Sequence, residues 1–159
     1  MATKKTAKKS ARSNGRTKAK AKTARTKPSS SVLALSSASP SFTVNDLDKS
    51  LGWYRDVVGF KVGETWKDGA GKLVGAELKA GDATFWIGQD DWKKGRDRQK
   101  GEGFRMFCMT RKSVDAIADR IRSKGGRLDL EPTDQDWGVR EIAFTDPDGF
   151  KITIAANRR

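Results

Sequence analysis

The chain has 159 residues, with 33 lysines and arginines against 20 aspartates and glutamates, a net charge of +13, and not one histidine. The length admits one domain and an extension. Without histidine, the commonest ligand of catalytic zinc, nickel and iron and the commonest general base are both missing, and Ser–His–Asp and Cys–His machinery is excluded.

Residues 1–45 hold eleven of the cations and no acid: Lys4, Lys5, Lys8, Lys9, Arg12, Arg16, Lys18, Lys20, Lys22, Arg25 and Lys27. The remainder holds 22 cations against all 20 acids, so it is nearly neutral. Between residues 2 and 31 there is no large apolar side chain. Such a segment cannot bury enough surface to offset its chain entropy, which predicts disorder, with a Ser/Ala/Pro linker running to residue 40. Its composition resembles the lysine- and alanine-rich tails of linker histones and of some bacterial nucleoid proteins. The resemblance implies nucleic-acid contact indifferent to sequence, driven by release of condensed counterions. A solubilising leader without a partner is the alternative. An organelle transit peptide is the third reading, opposed by the preference for Lys over Arg and the missing amphipathic face.

Residues 41–159 form the expected folded domain. Residues 42–44 alternate as a strand, and Asn45 or Asp46 caps a helix with Leu47, Leu51, Tyr54 and Val58 on one side and Gly59 at its end. Strands follow at 60–66, 72–79 and 83–88, separated by glycine-containing turns. A basic loop, 91–100, leads to a second copy of this order. Residues 104–110 alternate as a strand, Ser113 caps a helix bearing Val114, Ile117 and Ile121, and Gly125-Gly126 stops it. Strands are expected at 127–130, 139–145 and 150–155, the last two joined by the turn Asp146-Pro-Asp-Gly149. Strand, helix, three strands, twice over, predicts an α+β fold of paired βαβββ modules, each burying its helix on one sheet face. The single cysteine, Cys108, excludes an internal disulfide and suits a reducing compartment. No apolar stretch approaches the roughly 18 residues of a membrane span, so a cytoplasmic protein without membrane contact is expected, nucleoid-associated if the tail binds.

The segments Asp46-Leu47-Asp48, Trp53-Tyr54 and Val58-Gly59-Phe60, with the closing Phe144-Thr-Asp-Pro-Asp-Gly-Phe150, resemble the vicinal oxygen chelate superfamily, which includes glyoxalase I, extradiol dioxygenases and bleomycin-resistance proteins. The resemblance spans roughly residues 40–156 and implies paired modules curling a mixed sheet around a cup. Metal-using members place four side chains on the ion, typically His, Glu or Gln. By register this chain offers Ser39, Trp86, Phe104 and Thr153 there, which implies no metal and no cofactor.

Strand parity predicts a core face with Phe42 and Val44, Phe85 and Ile87, Phe107 and Met109, Ile142 and Phe144, and Ile152 and Ile154. The other face, with Trp86, Phe104, Met106, Cys108 and Thr153, reads as an apolar, hydroxyl-dotted pocket. Trp92 and Trp137 stand beside it as aromatic walls, and Arg105 as a ligand contact. The function expected from these residues is metal-independent sequestration of a small organic molecule by a homodimer, as the bleomycin-resistance branch implies, with no catalytic residue. Two alternatives stay open: a divergent lyase or dioxygenase-type enzyme of the superfamily, and a nucleic-acid-associated protein whose domain mainly dimerises.

Overall fold

In the computed structural model the described residues are Met1, Leu33, Leu35 and 36–158. The eleven tail cations, and the expectation of disorder resting on them, lie outside the described residues.

Alternation builds β1 (Ser41–Val44), with Phe42 and Val44 buried and Ser41 and Thr43 exposed. Asp46 caps α1 (Leu47–Gly52), its carboxylate accepting from the Lys49 backbone N–H at 3.0 Å. The helix runs on as a π-helical segment, Trp53–Val58, and stops at Gly59. The backbone asks for glycine there, with φ at 106°, and the Arg120 side chain fills the space a Cβ would take, its Nε 2.8 Å from that point. Strands β2 (Lys61–Lys67), β3 (Leu73–Ala80) and β4 (Ala83–Gln89) complete the first module. The second comprises β5 (Arg105–Met109), α2 (Val114–Ser123), β6 (Leu130–Asp134), β7 (Val139–Thr145) and β8 (Lys151–Asn157).

Each module makes a four-stranded mixed sheet, in the orders β1-β4-β3-β2 and β5-β8-β7-β6. The first strand pairs in parallel with the last, and the other pairs are antiparallel. This is the α+β architecture of paired βαβββ modules.

The helix-bearing faces of both sheets share one core, in which Phe42, Phe85 and Ile87 meet Ile142, Phe144 and Ile152 around Tyr54, Val114 and Ile121. Phe42 stacks on Phe150 of the other module, ring centroids 4.2 Å apart. The Tyr54 hydroxyl donates to Asp146 Oδ2 at 2.6 Å, and Ser50 Oγ to Asp148 Oδ2 at 2.7 Å. Asp146 also accepts the backbone N–H groups of Asp148 and Phe150. Burial, then the nearby Asp146 charge, pushes the Tyr54 phenol up, so it remains a donor. The turn legible in the sequence thus ties the second module to the first helix.

Two expectations are corrected. β6 spans Leu130–Asp134, not 127–130. Pro132 argues against a strand by propensity, but β6 is an edge strand with a register shift between Leu130 and Thr133, where a missing N–H is tolerated. The second correction concerns β5. Met106 pairs with Ile152 and Cys108 with Ile154, which puts them on the core face, while Phe107 pairs with Thr153 and Met109 with Ala155 on the other. Met106 is buried in the core, whereas Phe107 and Met109 are 52% and 54% exposed. All four side chains are apolar, so hydrophobic alternation carried no sign; pairing with β8 sets it.

Candidate functional site

The helix-free face of the second sheet is a small lattice whose rows follow from strand register. Arg105, Lys151 and Thr145 form one row, Phe107, Thr153 and Ala143 the next, and Met109, Ala155 and Glu141 the third. Arg105 Nη1 donates to Thr153 Oγ1 at 3.0 Å. Thr153 is buried and Arg105 exposed, and no ion pair to Arg105 is formed among the described residues. Glu141 is buried to 8% exposure. Its Oε1 accepts from Gln135 Nε2 at 3.1 Å, while its buried Oε2 has no hydrogen-bond partner. Burying a polar atom in that state costs free energy that folding alone does not return.

On the first sheet, Trp86 is 43% exposed on the helix-free face, with Ser41 and Glu77 opposite it on the adjacent strands. Trp66 meets Trp86 edge to face at 6.4 Å. Trp66 lies over Gly75, where a Cβ would come within 3.0 Å of its ring. Glu77 is tied to Lys79 at 2.8 Å and to the Glu64 backbone N–H at 3.3 Å.

The other expected site residues go to different places. Phe104 precedes β5 and sets its edge against the core residue Phe42, centroids 5.6 Å apart. Trp137 stands in the β6–β7 turn, exposed. Trp92 belongs to the basic loop, where it adopts φ 60° and packs under Arg96, whose Cζ lies 4.4 Å from its ring. Three of the loop's cations, Lys93, Arg98 and Lys100, are paired with Asp91 and Asp90. Asp90 is bound by Arg98 at 2.7 Å, Lys100 at 2.8 Å and the Trp92 backbone N–H at 2.9 Å. Arg98 first, then Lys100 and that N–H, hold its carboxyl far below the usual carboxylate range. A cleft of about 360 Å³ lies beside it, lined by Arg98, Lys100, Gly149 and Lys151 among others. Burial pushes the Cys108 thiol up, which leaves it a poor nucleophile.

The donor set does not fit a metal. Ser39 Oγ is engaged with Thr84 Oγ1 at 3.1 Å, Thr153 with Arg105, and Trp86 and Phe104 have no ligating atom. Among the described residues no group of three or more His, Cys, Asp or Glu side chains is placed to hold an ion. A guanidinium, itself a cation, stands on the hydroxyl of the last of the four positions.

Comparison with known proteins now bears on this geometry. The family model described as glyoxalase/bleomycin resistance protein/dioxygenase superfamily matches residues 33–154. The chain belongs to that superfamily. A probable lactoylglutathione lyase of Synechocystis sp. is 32% identical over 117 residues, covering 70% of this chain and 87% of that protein. A lactoylglutathione lyase of Haemophilus influenzae is 29% identical over 119 residues, covering 72% and 87%. Among solved structures, TnmS3, an antibiotic binding protein from Streptomyces sp. CB03234, is similar at 25% identity and a TM-score of 0.60, over 79% of this chain and 98% of that one.

These relatives correct the functional expectation. Missing histidine and an aromatic face had favoured sequestration without chemistry, but the relatives similar in sequence at about 30% identity bear the name of a lyase. The inference failed because absent metal ligands argue against one catalytic device, not against catalysis.

Proposed function

We propose that this chain is a lyase of the glyoxalase superfamily, acting on a small 2-oxo or 2-hydroxyacyl compound carried on a thiol such as glutathione. The observation that carries this reading is the 32% identity, over 70% of the chain, to a probable lactoylglutathione lyase. A lactoyl thioester has a hydroxyl on the carbon beside its carbonyl. Making or breaking it moves a proton at that carbon and develops charge on a neighbouring oxygen, which calls for a base and a positive group. Arg105 and Glu141 supply those two chemistries on one sheet face. Within the superfamily the donor set supports a metal-free member.

Three accompanying proposals come from the sequence. The protein is a cytoplasmic homodimer, and the exposed Trp66 and Trp86 on the first sheet supply apolar surface for a second copy. The tail cations contact nucleic acid without reading sequence. The partner of the folded domain is a small molecule.

Purified full-length protein mixed with glutathione and a 2-oxoaldehyde should form the 2-hydroxyacyl thioester, followed by its ultraviolet absorbance, at a rate proportional to protein concentration. A rate equal to the protein-free control would overturn the lyase reading.

A further inference from the structure

Resting on the lyase reading, we infer that the helix-free face of the second sheet is a metal-free reaction centre for thiol adducts of 2-oxoaldehydes, in which Arg105 holds the developing oxyanion and Glu141 carries the proton.

The starting point is a disagreement. The superfamily resemblance directs attention to four positions, and this chain fills them with two rings and two engaged hydroxyls. One of those hydroxyls, on Thr153, positions the guanidinium of Arg105 at 3.0 Å. An arginine forming a single side-chain hydrogen bond to a neutral partner keeps most of its N–H donors for an anion. It places fixed positive charge where a metal would otherwise supply it. Lys151 stands opposite Arg105 on β8 and deepens the positive potential.

Glu141 is the second, independent observation. It interrupts β7, whose neighbours Val139, Ile142, Ala143 and Phe144 are all apolar and buried. One of its carboxylate oxygens is buried without a hydrogen-bond partner. A polar atom held in that state is most simply explained by something that completes it on binding. It also lies in the right place. Glu141 faces Ala155, and Thr153 is two residues away along β8, a diagonal of about 7–8 Å between Cα atoms. The other two corners of that square are Ala143 and Ala155, the smallest side chains that keep a Cβ. Phe107 and Met109 flank it with apolar surface.

The reaction balances without oxidant or metal. In the adduct, the carbon bearing the thiol sulfur and a hydroxyl gives its C–H proton to the Glu141 carboxylate. The C–H electron pair forms a double bond to the neighbouring carbon, whose carbonyl pair moves onto oxygen beside Arg105. Glu141 then returns the proton to that second carbon. The first hydroxyl becomes the thioester carbonyl, and its proton passes to the oxyanion. The product is a 2-hydroxyacyl thioester.

The test uses the full-length chain, with turnover measured on glutathione and a 2-oxoaldehyde. Wild-type turnover should be unchanged by chelator. Arg105→Met and Glu141→Gln should each lower kcat by about 100-fold or more, with Arg105→Lys recovering part of the loss. The remaining activity of Glu141→Gln should lose the acid limb of its pH profile, a change that a structural role for Glu141 would not cause. Circular dichroism reports folding, and Glu141→Asp serves if the glutamine variant does not fold, since shortening the base should also cut kcat. Loss of turnover on chelation, or full rates in both Arg105→Met and the Glu141 variant, would overturn the metal-free centre and leave the lyase reading intact. If wild type shows no turnover, the lyase reading fails, and calorimetry with S-lactoylglutathione decides the anion site. Affinity at least about tenfold weaker in Arg105→Met supports it, and equal affinity overturns it.

Discussion

Asp146→Ala should lower the unfolding free energy by about 3 kcal/mol or more. The carboxylate accepts three hydrogen bonds, from the Tyr54 hydroxyl at 2.6 Å, the Phe150 backbone N–H at 2.7 Å and the Asp148 backbone N–H at 3.0 Å. Tyr54 is fully buried, so its hydroxyl has no water to turn to. Each buried donor left without an acceptor costs about 1–3 kcal/mol. Tyr54→Phe removes one donor and leaves two backbone bonds to Asp146, so its cost should be the smaller. Urea titration followed by circular dichroism measures both, and a loss below about 1 kcal/mol for Asp146→Ala would contradict this account of the turn.

Phe42→Ala should cost about 3–5 kcal/mol, the usual range for deleting a buried phenylalanine. The ring is 2% exposed. It stacks on Phe150 at 4.2 Å, and Phe85 and Phe104 lie 5.2 and 5.6 Å away. Phe150 is also the residue whose N–H bonds Asp146, so the Phe42 and Asp146 substitutions share a partner. Their effects on stability should therefore fail to add, the double variant differing from the sum of the singles by more than about 0.5 kcal/mol. Strict additivity would show that the ring stack and the turn act independently.

Much of this fold was legible in the sequence because its signals are local. The Asp46 cap, Gly59, the Ser113 cap and the Asp146-Pro-Asp-Gly149 turn each act within a few residues, and all appear where expected. Where the outcome depended on a partner strand, the sequence was silent. The face of β5 could not be read from four apolar side chains in a row, and β6 was hidden by a proline that only an edge position tolerates. The π-helical segment leaves Leu47, Tyr54 and Val58 buried, so it changed the helix type without changing which residues face the core.

The site was less legible. Arg105 stood out as a cation at a strand start, and Thr153 by its register, but that they meet at 3.0 Å depends on the parallel pairing of β5 with β8. Glu141 was missed although a signal existed. With Ile142 and Phe144 assigned to the core, an acid at 141 must lie on the other face, beside Ala143 and Thr153. The aromatic residues are spread over different elements. Trp92 and Phe104 serve the loop and the core, and only Trp86 and Trp66 share a helix-free face.

A crystal structure of the full-length protein with S-lactoylglutathione tests the central claim most directly. The account predicts the lactoyl group on the helix-free face of the second sheet, its oxygens within hydrogen-bonding distance of Arg105 and its chiral carbon beside Glu141, with no metal between them. A lactoyl group bound instead in the cleft lined by Arg98, Lys100 and Lys151, or coordinated to a metal ion, would contradict it.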